Sequence, residues 1–354
     1  MTEIEGVSSI EKILPKRETA FSARGGACYG RAMRVRIEAR GARRPSSRTG
    51  ASRRRALWGI LAVAASAVPA GAVCPEEPSQ CLGDAGRFAL VAREKAFLGV
   101  SRLSEDGFAF WAFTYVDGDV CARQVRAISP PPLAASGEPV FAANVAALAT
   151  SGAGIVAKTA QGITAESVGL QTGVAATAGA FVSPLVFADQ IDTSGTHPLL
   201  ATCESAIAAA AEAAATLAAL PATGSLGAVV LAPGENRTIE LEDGVNVIDA
   251  DKITLGASSL LTFDGTAPTW AIVRTRSLKT SQFADIETVA PILFLLDGRG
   301  AGVSIGPYSD LFGVAILAPE RSATLAGEAY LEGLWVKKAT LRGVDLLPAG
   351  DYAP

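Results

Sequence analysis

Five aspartates in the C-terminal third of this chain are the residues whose type and spacing could support catalysis. They are Asp249, Asp251, Asp264, Asp285 and Asp297. Carboxylates that project from neighbouring segments can act as acid and base in glycoside hydrolysis, so the pattern corresponds to a polysaccharide-acting enzyme of the β-helix type. Asp264 and Asp297 each precede a glycine, however, which is ordinary turn chemistry. No pair is placed better than chance, and we predict no catalytic residue and no enzymatic activity.

His197 is the single histidine of the protein and the one candidate for a neutral-pH general base. It stands in Ser194-Gly195-Thr196-His197-Pro198, directly before a predicted helix. This position favours a helix-entry residue, with Ser194 or Thr196 as the cap. The chain also contains no CxxC pair, no EF-hand loop and no glycine- and aspartate-rich calcium nonapeptide. We therefore predict no metal site and no cofactor.

Threonines could instead bind ice, if they formed a flat and regular array. Thr254, Thr275 and Thr340 do not repeat in phase along the sequence, and only Thr262 and Thr324 share a similar outward context. Charged residues interrupt the same segments: Arg274, Arg276, Lys337 and Lys338. An ice-binding function is therefore an alternative rather than the main prediction.

The first 72 residues form a basic leader with 14 Lys and Arg against 5 Asp and Glu. Arg53, Arg54 and Arg55 precede a short apolar stretch over residues 57–65, and Ala70-Gly71-Ala72 supplies small residues for cleavage. This is the layout of a secretory signal, and the stretch is too short to favour a membrane span. We predict cleavage after Ala72, no transmembrane segment in the mature chain, and a secreted or cell-surface location. Met33 is an alternative start.

The mature chain has a different charge balance, with 17 basic and 30 acidic residues over positions 73–354. An acidic body lacks the cationic surface that nucleic-acid binding requires. Four cysteines remain after cleavage: Cys74, Cys81, Cys121 and Cys203. An even number in an exported chain suggests two disulfides, for which three connectivities are possible. We expect Cys74–Cys81 and Cys121–Cys203.

Short apolar runs recur about every twenty residues through the C-terminal third, and they set the expected architecture. The runs are Val229-Val230-Leu231, Val247-Ile248, Ile272-Val273, Ile292-Leu293-Phe294, Val314-Ala315-Ile316-Leu317 and Leu334-Trp335-Val336. Such a period of β-type segments is typical of a β-solenoid (β-helix), in which each coil buries its inward face by stacking on the next. We therefore predict a mainly β fold with long, flat faces.

One segment has a helical pattern instead. From Leu199 the sequence is almost entirely Ala, Leu and Glu, until Pro221 stops it. Its apolar face carries Leu200, Cys203, Ile207, Ala210, Ala214 and Leu217. We predict a helix over 199–221 packed along the solenoid. The remaining divisions are N-terminal strands over 73–128, irregular Gly-rich coils over 129–198 and regular coils over 222–347.

The order of these parts resembles a known family. The residues that carry the resemblance are Val116-Asp117-Gly118-Asp119-Val120, the helix end Leu217-Ala218-Ala219-Leu220-Pro221, Gly313-Val314-Ala315-Ile316-Leu317-Ala318-Pro319 and Leu331-Glu332-Gly333-Leu334-Trp335-Val336. Over roughly residues 84–345 the chain resembles the choice-of-anchor A domain of bacterial exported and surface proteins, which is distantly similar to the ice-binding-like β-solenoids. No C-terminal anchor is evident before Pro354, so we expect release or retention through a partner.

The resemblance implies a secreted or cell-surface protein of adhesive or structural type, without a known active site. Together with the predicted faces, it suggests a non-enzymatic surface or matrix protein. Its partner would be an extracellular ligand such as matrix, carbohydrate or a cell surface. Ice binding and polysaccharide degradation are the two alternatives.

Overall fold

A computed structural model of the chain describes residues 81–105, 108–128, 140–157, 163–172, 174–176 and 186–348. The basic leader, the cleavage site predicted at Ala72, and Cys74 lie outside these ranges. The described residues form 23 strands, one α-helix and a 3₁₀ turn over Gly83–Arg87. The prediction of a mainly β fold with one long helix is confirmed.

Eleven strands precede the helix in the chain. They are β1 (Phe88–Gly99), β2 (Ser101–Glu105), β3 (Phe108–Ala112), β4 (Thr114–Val116), β5 (Asp119–Ile128), β6 (Val140–Ala142), β7 (Asn144–Ala147), β8 (Ile155–Ala157), β9 (Ile163–Leu170), β10 (Val174–Ala176) and β11 (Val186–Asp192). The helix α1 spans Pro198–Ala218.

Twelve strands follow the helix. They are β12 (Gly224–Leu231), β13 (Asn236–Glu240), β14 (Gly244–Leu255), β15 (Leu260–Asp264), β16 (Pro268–Thr275), β17 (Leu278–Thr280), β18 (Asp285–Thr288), β19 (Ile292–Leu295), β20 (Val303–Ile305), β21 (Asp310–Leu311), β22 (Val314–Glu332) and β23 (Leu334–Leu347).

Parallel pairing arranges nearly all of these strands in three columns, with each turn of the chain adding one segment to each column. The first face is the column in which the first part of β14 pairs with β16, as in Val247↔Ile272, and β16 pairs with β19, as in Ile272↔Leu293. The second face is the column of β12, β14, β17 and β20, which continues through the middle of β22 and β23. The third face is the column of β13, β15, β18 and β21, which continues through the ends of β22 and β23.

Side chains alternate between the interior of the stack and its outer surface, as expected for strands. Inward positions on all three faces are buried and mostly apolar, for example Leu278 on the second face and Leu261 on the third. Because parallel strands lie about 4.8 Å apart, each inward side chain packs directly on its equivalents in the turns above and below. The apolar runs noted in the sequence supply this interior.

The turns do not stack in the order of the sequence. Strand β23, near the C-terminus, pairs with β22 on one side and with β1 on the other, and β1 pairs in turn with β5. Strand β1 therefore lies in the middle of the stack, and the strands that follow it extend to β11 at one end. Helix α1 connects this end to the opposite end, where β12 lies, and the strands from β12 to β23 extend back to β1.

Helix α1 lies along the outer surface of the first face. Its buried side is almost entirely small: Leu200, Cys203, Ala206, Ala210, Ala213, Ala214 and Leu217. These residues pack against outward side chains of the first face, among them Ile272, Leu293 and Trp335. Alanine lets the helix backbone approach closely, so the predicted lateral helix is present with nearly the predicted face. Ile207 is partly buried.

A disulfide fastens the helix to the stack. Cys121 on β5 is bonded to Cys203 on α1 with a Cα–Cα distance of 5.3 Å, which is the pairing expected from the sequence. Cys81 is also disulfide-bonded, but its expected partner Cys74 lies outside the described residues.

The antiparallel hairpin β2–β3 leaves the stack and packs back on it. Two glycines with positive φ make room for the hairpin, Gly327 at +64° and Gly343 at +63°. A Cβ atom at Gly343 would lie 2.6 Å from the Cβ of Ala112, and one at Gly327 would lie 2.6 Å from Leu103 Cδ2. Both positions therefore require glycine, for space as well as for backbone conformation.

Candidate functional site

The second face presents one line of polar side chains to solvent. The strand registers place Thr254, Lys279, Ser304, Thr324 and Thr340 side by side on five successive strands. With strands about 4.8 Å apart, the line extends over roughly 19 Å. Lys279, Ser304 and Thr324 are exposed, and Thr254 and Thr340 are half-buried. The result is a continuous row with a hydroxyl at four of its five positions and the longer side chain of Lys279 at the other.

The threonines have no constant spacing in the sequence, as expected, but the strand registers still bring Thr254 and Thr340 into one row. Turns of 25, 25, 20 and 16 residues separate the five positions, so a fixed period misses them although the register is continuous. Thr262, which had been grouped with Thr324, lies on the third face and pairs with Thr238. Thr275 is buried at the end of β16.

Basic residues flank the hydroxyl row on the second face. At the outward positions described for this column, the charged side chains are all basic: Lys95, Arg126, Lys252, Lys279, Lys338 and Arg342. Part of this charge is neutralised at the edge, where Lys338 and Lys337 lie 3.3 and 3.5 Å from the Glu94 carboxylate. Burial acts to raise the pKa of Glu94, but its hydrogen bond to Lys338 and the charge of Lys337 outweigh burial and lower it.

The third face has the opposite charge. Its exposed or half-buried outward carboxylates are Glu240, Asp264, Asp285, Glu287, Asp310 and Asp345. Aromatic rings lie among them: Phe312 and Tyr330 are in contact, with ring centroids 4.3 Å apart. Burial, and then the nearby charges of Asp285 and Asp345, raise the pKa of Asp310. Carboxylates on successive turns therefore repel one another on this face.

Three of the five candidate catalytic aspartates meet in a groove between the first and second faces. The groove has a volume of about 330 Å³, and its charged lining consists of Asp249, Asp251, Arg274, Arg276, Asp297 and Arg321. The stacking of the turns thus brings Asp249, Asp251 and Asp297 to one groove, which the sequence did not indicate. Asp264 and Asp285 lie on the third face, away from the groove.

Two of the groove arginines have structural partners. Arg274 Nε donates to Asp249 Oδ1 at 2.7 Å, and its Nη1 donates to the carbonyl of Ala218, the last residue of α1, and to that of Leu220. Arg321 is 5% exposed and donates to the carbonyls of Arg276, Asp297, Gly298 and Ala301. Arg274, which the sequence analysis placed on a possible ice-binding face, instead holds the helix end at this corner.

The remaining candidate residues have local structural roles. The backbone amides of Gly265 and Gly298 donate to Asp264 and Asp297, which confirms the turn chemistry. His197 caps the helix itself, since its Nδ1 accepts a hydrogen bond from the Leu199 amide at 3.2 Å, whereas Ser194 hydrogen-bonds Thr196. His197 also lies against the backbone of Gly169. Among the described residues, no group of three metal-ligating side chains comes together.

Comparison with known proteins finds likeness in structure and none in sequence. The chain matches no protein-family profile and no curated protein sequence. Among solved structures it is similar to an ice-binding protein from an Antarctic biological consortium, with 14% identity, a TM-score of 0.42, and coverage of 75% of this chain and 89% of that one. It is also similar to an ice-binding protein from an Arctic yeast, with 16% identity, a TM-score of 0.42, and coverage of 77% and 95%. A third is the ice-binding protein of Antarctomyces psychrotrophicus, with 13% identity, a TM-score of 0.35, and coverage of 76% and 98%.

Proposed function

We propose that the stack is a β-solenoid of an exported, non-enzymatic protein that binds ice through its second face. The observation that carries this proposal is the hydroxyl row of Thr254, Ser304, Thr324 and Thr340, held in register on a flat sheet. Threonine is stiff at χ1, so a row of threonines on a rigid sheet loses little entropy when it meets an ordered surface. Its methyl and hydroxyl groups together suit a lattice of water molecules. We place the protein outside the cell because of its leader and its disulfide.

The experiment compares ice recrystallisation inhibition and thermal hysteresis for the purified protein and two matched variants. Thr324→Lys replaces the central residue of the three consecutive hydroxyl positions Ser304, Thr324 and Thr340, and it should abolish activity because no two neighbouring strands of the row then present hydroxyl groups. Thr238→Lys makes the same change at an exposed site on the third face and should leave activity intact. If the unaltered protein is inactive, or if both variants retain activity, the proposal is wrong.

A second candidate function, adhesive or structural binding, is favoured by the separation of charge between the faces. The basic positions of the second face would attract an anionic extracellular polymer, and this attraction would weaken with salt. The measurement is binding to dextran sulfate against neutral dextran at low and high ionic strength. Loss of binding in a variant with Lys252, Lys338 and Arg342 all replaced by Gln, together with retained ice activity, would separate the two functions.

A further inference from the structure

The groove between the first and second faces contains none of the residues of the hydroxyl row. Its lining comes from successive turns of the stack: Ser225 from β12, Asp249 and Asp251 from β14, Arg274 at the end of β16 and Arg276 just after it, Asp297 after β19, and Arg321 from β22. The groove therefore runs along the stack axis. Every turn that it crosses contributes at least one polar side chain.

The charges alternate along this groove. The two aspartates of β14 are followed by two arginines of the next turn, then by Asp297, and then by Arg321. The Arg276 amide donates to the Asp251 carbonyl at 3.3 Å, so these two residues lie on adjacent turns. Arg321 hydrogen-bonds the carbonyls of both Arg276 and Asp297, which places them side by side. Three carboxylates and three guanidinium groups leave the lining with no net charge.

The groove wall is fixed before any ligand arrives. Arg321 is buried, and desolvation lowers its pKa while the charge of Asp297 opposes the shift. Its carbonyl partners offset the cost of burying the cation. Arg274 likewise connects Asp249 to the helix end. With these two arginines engaged, Asp251, Arg276 and Asp297 remain as the exposed charged side chains of the groove, and Ser225 is exposed beside them.

We propose that this groove binds a neutral saccharide, with Asp251, Arg276 and Asp297 as its hydrogen-bonding residues. A carboxylate accepts from sugar hydroxyl groups and a neighbouring guanidinium donates to their oxygens, so alternating Asp and Arg suit adjacent hydroxyls on one ring. A charged ligand would meet as many like charges as opposite ones. The charged lining is also unsuited to an apolar ligand, because burying unpaired charge is costly. A neutral ligand with several hydroxyl groups avoids the repulsion between like charges and also provides hydrogen-bond partners for the charged side chains.

The test is titration of the protein by saturation-transfer NMR and calorimetry with glucose, galactose, mannose and N-acetylglucosamine. We expect at least one sugar to bind, and Asp251→Asn or Arg276→Gln to weaken its affinity about tenfold, which corresponds to about 1.4 kcal/mol. Thr324→Lys, which lies outside the groove, should leave sugar affinity unchanged. Circular dichroism and the unfolding temperature establish that each variant is folded.

Two outcomes would overturn the proposal: no binding of any of the four sugars, or equal affinity in the wild-type protein and both groove variants. Ice activity is measured on the same samples. Because the groove and the hydroxyl row share no residue, loss of one activity with retention of the other identifies which of the two proposals has failed.

Discussion

The first and second faces are formed by the same turns of the chain, but helix α1 covers the outer surface of the first, whereas the outer surface of the second is in solvent. Both have apolar inward residues in the common interior. They differ at the outward positions, where the first face carries Ile272, Leu293 and Trp335 under the helix and the second carries Lys279, Ser304 and Thr324 in solvent. The outward residues, rather than the strands themselves, decide which face is covered and which can meet a ligand.

The largest difference between these faces should appear when one residue from each is truncated on the same strand. Trp335 on β23 is fully buried, and its Nε1 donates to the Ala85 carbonyl at 2.8 Å. Trp335→Ala should lower the free energy of unfolding by about 3 to 5 kcal/mol. Thr340→Ala, five residues further along, should change it by less than about 0.5 kcal/mol. Denaturant titration measures both, and equal effects would contradict the division between a packed and an open face.

The covalent link across the first face gives the next largest effect. Replacing both Cys121 and Cys203 with Ala removes a bond between residues 82 apart in sequence. We expect the free energy of unfolding to fall by about 2 to 4 kcal/mol, because the unfolded chain regains freedom. Arg123→Ala, at an exposed position on the same strand, is the control. A double variant as stable as that control would show that packing alone holds the helix.

The smallest effect concerns the charge difference between the second and third faces. Because the pKa of Asp310 is raised in the folded protein, the folded state binds protons more readily than the unfolded state there. The contribution of Asp310 to the free energy of unfolding should therefore fall slightly as pH rises from below the ordinary value of 3.8 through the raised folded value. Asp310→Asn should be the more stable protein above this window, by less than about 1 kcal/mol, and equal below it. Thermal unfolding across the pH range measures the difference, and a stability gap that persists at low pH would contradict the charge-repulsion cause.

Several local features were predictable because they depend on neighbours in sequence. The alternation of apolar residues, the helix with its alanine-rich face and the Asp-Gly turns all follow from short-range pattern. The hydroxyl row did not, because turns of unequal length place Thr254 and Thr340 in line without a constant spacing. The groove was missed for a related reason: Asp251 and Asp297 come together only through turns of the stack between them.

The sequence by itself determined the kind of structure, since a recurring apolar run can bury its inward side chains only against copies of itself. It also determined that one helix could lie close to a sheet, because alanine adds little bulk. Only the tertiary structure decided that β1 stacks on β23, joining Leu90 to Leu334. The two strands pair because each has a free edge whose backbone groups need hydrogen-bond partners. Pairing between strands so far apart in the sequence leaves no local pattern in the chain.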